Sequence, residues 1–147
     1  MPSHLNFCLQ ALLALALGAA IGLERELQNH EAGLKTNALV AFGSALFVIM
    51  AQRFHEPDRI IAQILPGIGF LGAGMILRDG VHVRGLNTAA TLWCSAAVGT
   101  LAGSGDRISP TIAAGLVVIA NVVLRMAARK IAAIHASRTG DQSTKGQ

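Results

Sequence analysis

Apolar residues along this chain are grouped into five long stretches separated by short polar connections. A helix needs roughly 20 apolar residues to cross a bilayer, with about 17 as the lower limit. The pattern predicts spans at 5–22, 36–51, 60–77, 86–103 and 108–127. We therefore expect an all-α, polytopic membrane helical bundle of about five transmembrane helices over residues 1–130. A basic, disordered cytoplasmic tail is expected at 131–147, because its polar residues cannot bury enough apolar surface to fold.

The first stretch could also be a cleaved signal peptide. No Lys or Arg precedes it, whereas a signal peptide has a basic leading segment, so a span is the favoured interpretation.

The positions of Lys and Arg predict the orientation in the membrane. With five spans, the first and third connections and the tail share one side and hold nine of the twelve Lys and Arg residues. That side is predicted to be cytoplasmic, with the N-terminus on the opposite side and the C-terminus inside. The tail alone contributes five of the nine, so the prediction depends mostly on the last span.

Composition narrows the class of protein further. Charged residues make up 14% of the chain, against about 25% in soluble domains, which favours a lipid-embedded bundle. The net charge of +4 is explained by juxtamembrane residues facing an anionic leaflet, and no nucleic-acid binding is expected. Cys8 and Cys94 are too few for a disulfide framework or a zinc site. The five histidines lack metal-ligand spacing and no catalytic triad or phosphate loop occurs, so we expect no enzyme activity, metal or cofactor.

A polar phrase recurs at the start of two spans. Shifting the chain by about 52 residues pairs Gly-Leu-Lys-Thr (33–36) with Gly-Leu-Asn-Thr (85–88), and Gly22 with Gly74. If this is a duplication, the two helical hairpins share one orientation, as in parallel repeats. Chance matching in an Ala-, Gly- and Leu-rich chain is the alternative.

Polar residues near the predicted cytoplasmic surface are the candidate site. Asn87, Thr91 and either Cys94 or Ser95 follow a three-to-four residue rhythm and so lie along one helix face. They could form interhelical hydrogen bonds, worth about 0.6 kcal/mol each on average, or a small cleft open to the cytoplasm for an ion, a polar ligand or a partner helix. Glu24 could belong to an interfacial charge cluster or turn inward to pair with Lys35 or Arg84. The full candidate set is Glu24, Arg25, Lys35, Thr36, Asn37, Arg84, Asn87, Thr88, Thr91 and Cys94.

Glycines spaced along the spans predict close helix packing. The segment 67–72 satisfies G-x-G-x-x-G, but it lies inside an apolar span rather than after a strand, which argues against dinucleotide binding. The residues assigned to helix packing are Gly18, Gly22, Gly67, Gly69, Gly72, Gly74, Gly99 and Gly103.

Four phrases carry a family resemblance. They are Gly-Leu-Glu-Arg-Glu (22–26), Ala-Gly-Leu-Lys-Thr-Asn-Ala-Leu-Val (32–40), Gly-Ile-Gly-Phe-Leu-Gly-Ala-Gly (67–74) and Val-Arg-Gly-Leu-Asn-Thr-Ala-Ala-Thr-Leu-Trp-Cys (83–94). In this order they closely resemble the MgtC/SapB family of bacterial inner-membrane proteins over about residues 8–130.

The resemblance implies a multi-pass inner-membrane domain with a cytoplasmic C-terminus. It also implies a role in growth at low magnesium and, in pathogens, survival in macrophages. Such proteins are thought to regulate membrane partners, including the proton-translocating ATP synthase, rather than to carry magnesium. The motif residues that the resemblance carries over are Asn87, the Thr88–Cys94 segment, Glu24–Arg25 and 35–37. Family members with a folded cytoplasmic domain differ from this chain, which has only a short basic tail.

Two functional hypotheses result. The first is a non-enzymatic regulator that binds other membrane proteins, with a homo-oligomer left open. The second is a transporter or channel for Mg²⁺ or another small cation or solute. All eight carboxylates lie in loops, at span edges or in the tail, which argues against the second because Mg²⁺ is usually held by carboxylates and water. Backbone carbonyls at broken helices are an alternative source of ion ligands.

Overall fold

Five α-helices account for most of the residues that the computed structural model describes, namely 4–54, 57–79 and 81–144. The helices are α1 (His4–Glu26), α2 (Leu34–Ala51), α3 (Pro57–Gly74), α4 (Leu86–Gly103) and α5 (Ile108–Thr144). A short antiparallel hairpin, β1 (Leu77–Asp79) and β2 (His82–Arg84), joins α3 to α4. The predicted all-α fold is confirmed. The predicted third span ran to residue 77, but α3 ends at Gly74, where the chain turns into the hairpin.

Three helical segments are long and apolar enough to cross a membrane among the described residues: His4–Glu26, Leu34–Ala51 and Ile108–Ile134. The helices α3 and α4 have 18 residues each but do not reach the same apolarity. In α4 the reason is the hydroxyl and amide side chains that also mark the candidate site. Five spans in total therefore stay a prediction.

The centre of the bundle is built from small residues. Ala14 of α1, Ala45 of α2 and Ala102 of α4 are fully buried and form one cluster. Because alanine has only a methyl group, the backbones of these three helices lie close together, as in membrane bundles that associate by van der Waals packing. The helix α2 is thus in contact with α1 on one flank and with α4 on the other.

One glycine is required where the hairpin meets α4. Gly85 has a φ of +87°, and a Cβ there would collide with the backbone carbonyl of Met75, whose carbon would lie 2.9 Å away. Both the left-handed backbone and the missing side chain therefore demand glycine. This places the start of α4 directly against the end of α3.

The chain divides into two units, Met1–Val117 and Val118–Gln147. The first holds the bundle, and the second consists of the later part of α5. That helix continues to Thr144, so it extends past the predicted end at residue 127 and through most of the segment expected to be disordered. The sequence after Arg125 explains the difference, because Ala, Arg, Lys, Met and Ile favour helix and no Gly or Pro occurs before Gly140.

The start of α5 is capped by a loop carboxylate. Asp106 Oδ1 accepts hydrogen bonds from the backbone N–H of Ile108 at 2.8 Å and of Ser109 at 3.3 Å. This is the geometry of an N-cap aspartate. Hydrogen bonds from the Ser109 side chain and the Ile108 amide hold the pKa of this carboxyl below its usual value.

Candidate functional site

Polar side chains from α1, α2 and α4 meet at one end of the bundle. Arg25, in the last turn of α1, is 1% exposed, and its Nη2 donates to Thr88 Oγ1 in the first turn of α4 at 3.4 Å. The two residues are 63 positions apart in sequence. A buried guanidinium is costly without polar partners, so this contact ties the end of α1 to the start of α4.

Asn37 is the centre of the polar cluster. It is fully buried in the first turn of α2. Its Nδ2 donates to the carbonyls of Ala32 at 2.7 Å and Gly33 at 2.9 Å, and its Oδ1 accepts from Ser95 Oγ at 2.8 Å. Both amide hydrogens and the carbonyl are therefore used inside the protein, and one side chain links the α1–α2 loop to α4.

Two glutamates at the end of α1 also make local bonds. Glu26 Oε2 accepts from the backbone N–H of Leu34 at 3.0 Å, so α1 supplies the cap that Gly33 cannot provide. A negative charge at this position is favourable because a helix N-terminus carries partial positive charge. Glu24 is 9% exposed and accepts a hydrogen bond from the Gln28 side chain one turn later.

The sequence-predicted site residues separate into two groups. Glu24, Arg25, Asn37, Thr88 and Thr91 are buried within the bundle, and Cys94 is half-buried. The other four are exposed: Lys35, Thr36, Arg84 and Asn87. Thr91 Oγ1 donates to the Asn87 carbonyl in its own helix at 2.9 Å. The bonds from Arg25 to Thr88 and from Ser95 to Asn37 join different helices, whereas the bond of Thr91 lies within α4. Ser95 is one of the two residues that the helical rhythm could place on the polar face, but the sequence did not identify Asn37 as its partner.

Glycines of α1 and α4 lie against α2 from both sides. A Cβ at Gly18 would be 2.6 Å from Ala41 Cβ, and one at Gly22 would be 2.7 Å from Leu34 Cα. On the other flank, a Cβ at Gly99 would be 2.7 Å from Ala41 Cα and would also collide with the Ala41 carbonyl. Gly103 has the same relation to Ala45, at 2.9 Å from its Cα. Such distances exclude any side chain unless the helices separate.

The glycines of α3 have different surroundings. A Cβ at Gly72 would make an ordinary contact of 3.6 Å with Ala89 Cβ. At Gly67, Gly69 and Gly74 nothing in the described chain lies within 4 Å. The predicted close packing at these three positions therefore has no partner helix among residues 4–54, 57–79 and 81–144.

A wide cleft separates α2 from α3. Its volume is about 1430 Å³, and apolar side chains such as Phe47 and Ile64 line most of it. Lys35 and Thr36 lie at one end and Arg59 at the other, with Gly43 and Gln63 between them. The sequence analysis did not predict this cleft. The available signal was Gly43, a glycine in the middle of an apolar helix.

Metal chemistry has no obvious centre in the described ranges 4–54, 57–79 and 81–144. No group of three or more His, Cys, Asp or Glu residues there could hold a metal ion. The buried polar residues at this end of the bundle are instead one cation, one carboxylate, one amide and several hydroxyls, which suit hydrogen bonding and helix association.

Comparison with known proteins supplies the relatives. The sequence profile described as the MgtC family matches residues 11–130. The chain is 49% identical to Protein MgtC of Salmonella typhimurium over 138 residues, which cover 92% of this chain and 60% of that protein. It is 48% identical to Protein MgtC of Brucella abortus over 84% of this chain and 52% of that protein. An uncharacterised Synechocystis protein is 51% identical over 80% of this chain and 51% of its own length.

The chain thus corresponds to between half and three fifths of the length of these relatives. No solved structure matches it.

Proposed function

Because this chain belongs to the MgtC family, we propose that it is a non-enzymatic regulator that acts by binding other proteins of the bacterial inner membrane. The proposed partner is the proton-translocating ATP synthase, and the proposed setting is adaptation to low magnesium and, in a pathogen, survival in macrophages. The proposed orientation has the N-terminus in the periplasm and the C-terminus in the cytoplasm. These roles come from the family resemblance.

The observation that carries the proposal is that the polar side chain at the centre of the cluster is buried and hydrogen-bonded within the chain. Asn37 is fully buried, and its amide makes three hydrogen bonds within the chain. A transport pathway needs polar groups that exchange partners with a passing ion. The Asn37 amide instead holds the α1–α2 loop, α2 and α4 together, which supports a rigid recognition surface rather than a transport pathway.

Small-residue packing supports the same conclusion. With Gly18 and Gly99 pressed against opposite flanks of α2, the three helices have little space between them for an ion or its hydration shell. A cavity of about 1430 Å³ lies on the side of α2 that faces α3. Outward surfaces are where a membrane partner would bind.

Reconstitution into liposomes separates regulator from transporter. The purified protein is expected to give no saturable Mg²⁺ or proton flux above that of protein-free liposomes. A saturable flux that is abolished by Asn87→Ala would reject the regulator, because Asn87 is exposed and its side chain is not needed for packing.

Inverted membrane vesicles test the partner. ATP-driven proton pumping is expected to fall when the protein is present, and the ATP synthase should co-purify with it. A polytopic membrane protein of similar size is the control for crowding. If pumping is unchanged and the ATP synthase does not co-purify, the proposed partner is rejected.

A further inference from the structure

The cleft between α2 and α3 has the length of a transmembrane element. From Lys35 to Met50 it follows α2 for about four turns, or roughly 23 Å at about 1.5 Å per residue, and it continues to Phe54 beyond the helix end. The hydrocarbon core of a bilayer is about 30 Å thick. With the predicted spans 36–51 and 60–77 in the bilayer, a cleft of this length would enter both leaflets, whereas one lipid acyl chain would fill only the part within its own leaflet.

The volume of the cleft also fits a helix. A cylinder about 10 Å across and about 25 Å long, the dimensions of a short transmembrane helix, occupies roughly 2,000 Å³. The cleft holds about 1430 Å³. The larger part of one helix could therefore lie within it, with the remaining surface exposed to lipid.

The walls offer close approach to backbone. Gly43 of α2 and Gly67 of α3 both line the cleft, and nothing lies within 4 Å of a Cβ placed at either. Transmembrane helices associate preferentially at small residues, because backbones can then approach each other. Because these two glycines have no side chain, the backbone of a docked helix could approach α2 and α3 closely at these positions.

Polar groups in the cleft define the chemistry of its occupant. Gln63 is exposed in the cleft one helical turn beyond Arg59, and the predicted span 60–77 would place its amide in the hydrocarbon region. A carboxamide there is costly unless it is hydrogen-bonded, and lipid tails offer no partner. Lys35 lines the opposite end and favours an acidic side chain nearby.

We propose that this cleft, lined by α2 and α3, is a docking groove for one transmembrane helix of another membrane protein. That helix carries small residues facing Gly43 and Gly67, a hydrogen-bonding side chain level with Gln63 and an acidic residue near Lys35. The identity of the partner rests on the proposed function above, but the groove itself does not.

Site-specific photo-crosslinking in membranes tests the groove. The photoreactive p-benzoylphenylalanine is placed at position 47, where Phe47 is 54% exposed in the cleft, or at position 12, where Leu12 is 60% exposed on α1. Adducts are digested and sequenced by mass spectrometry. We expect position 47 to be joined to a residue within a transmembrane segment of another protein, at a yield at least tenfold above that from position 12.

Substitutions that fill the groove provide the second arm. Gly43→Leu and Gly67→Leu should each reduce the adduct at position 47 at least tenfold, and Gln63→Leu should reduce it several-fold. Gly115→Leu is the matched control, because Gly115 is exposed on α5, does not line the cleft and has open space around its Cβ. All variants should elute from gel filtration in detergent as the parent does, and two groove variants guard against misfolding of one.

The outcomes separate the two proposals. An adduct with an ATP synthase helix that Gly43→Leu removes supports both the groove and the partner. An adduct with a helix of a different membrane protein supports the groove and rejects that partner. The groove proposal is overturned if position 47 is joined only to lipid or to a second copy of this chain. It is also overturned if both glycine variants leave the adduct yield unchanged, even when the ATP synthase still co-purifies.

Discussion

Replacing Gly99 by alanine should destabilise the packing of α4 against α2. The added Cβ would be 2.7 Å from Ala41 Cα and would overlap the Ala41 carbonyl oxygen, and both atoms belong to backbone that cannot rotate away. Ordinary contacts begin near 3.4 Å. The α2 and α4 backbones must therefore separate locally, which also stretches the 2.8 Å bond between Ser95 and Asn37 one turn away.

The expected cost follows from these two losses. Overpacking a well-packed interior costs about 1–3 kcal/mol, and an interhelical hydrogen bond in a membrane protein is worth about 0.6 kcal/mol on average. We therefore expect Gly99→Ala to lower the free energy of unfolding by roughly 2–4 kcal/mol. Gly43→Ala is the matched control, since a Cβ at Gly43 meets nothing within 4 Å. Its helix-propensity gain of up to about 1 kcal/mol should leave stability equal or higher.

Denaturant titration in mixed micelles provides the assay. Trp93, the single tryptophan, lies on α4 and is 49% exposed, so its fluorescence should report the separation of α4 from the bundle. The reasoning is refuted if Gly99→Ala unfolds at the same denaturant concentration as the parent. It is equally refuted if Gly43→Ala is destabilised to the same degree.

Further predictions concern the polar residues. Asn37→Ala should cost about 1–3 kcal/mol in a denaturant titration, because it leaves buried groups unpaired, whereas Asn87→Ala should stay within about 0.5 kcal/mol; equal effects would contradict the observed burial. In a cysteine-free background, Lys35→Cys and Arg84→Cys should both react with an impermeant thiol reagent added from the cytoplasmic side. Labelling of the two positions from opposite sides of the membrane would show that they do not lie at the same end of the bundle. Hydrogen bonds lower the folded-state pKa of Asp106, so its ionised cap stabilises the fold above the ordinary carboxyl pKa of about 3.9 and is lost as pH falls through the lowered value. Asp106→Asn should therefore flatten the acid side of a stability–pH profile, and an unchanged slope would contradict this role.

The helices and their order could be predicted from the sequence because apolar length is a local property. The predicted span 86–103 has the same bounds as α4, and the predicted start at residue 108 is that of α5. Helix ends were less accurate where the limiting residues were polar. The helix α1 continues four residues past the predicted end at Gly22, since Glu24 and Arg25 are buried against the bundle rather than left in a loop.

Long-range pairing was not accessible from a single sequence. Asn37 and Ser95 are 58 residues apart, and no local periodicity identifies one hydroxyl among several on α4 as the partner. The width of the gap between α2 and α3 also depends on tertiary geometry. The β1–β2 hairpin did have a local signal, an Asp-Gly pair at 79–80 between alternating residues. It was missed because the apolar pattern assigned the first part of this segment to the third span. Gly80 itself lies outside the described residues.

The modest apolarity of α4 has a consequence for how the protein is made. Thr88, Thr91 and Ser95 are buried against neighbouring helices, so the same hydroxyls would meet lipid if α4 entered the bilayer alone. We therefore expect stable insertion of α4 to require neighbouring helices of this chain that are already in the membrane. Because synthesis from the N-terminus delivers α1 and α2 first, we expect the surface that accepts α4 to form before α4 is inserted, so that assembly follows the order of translation.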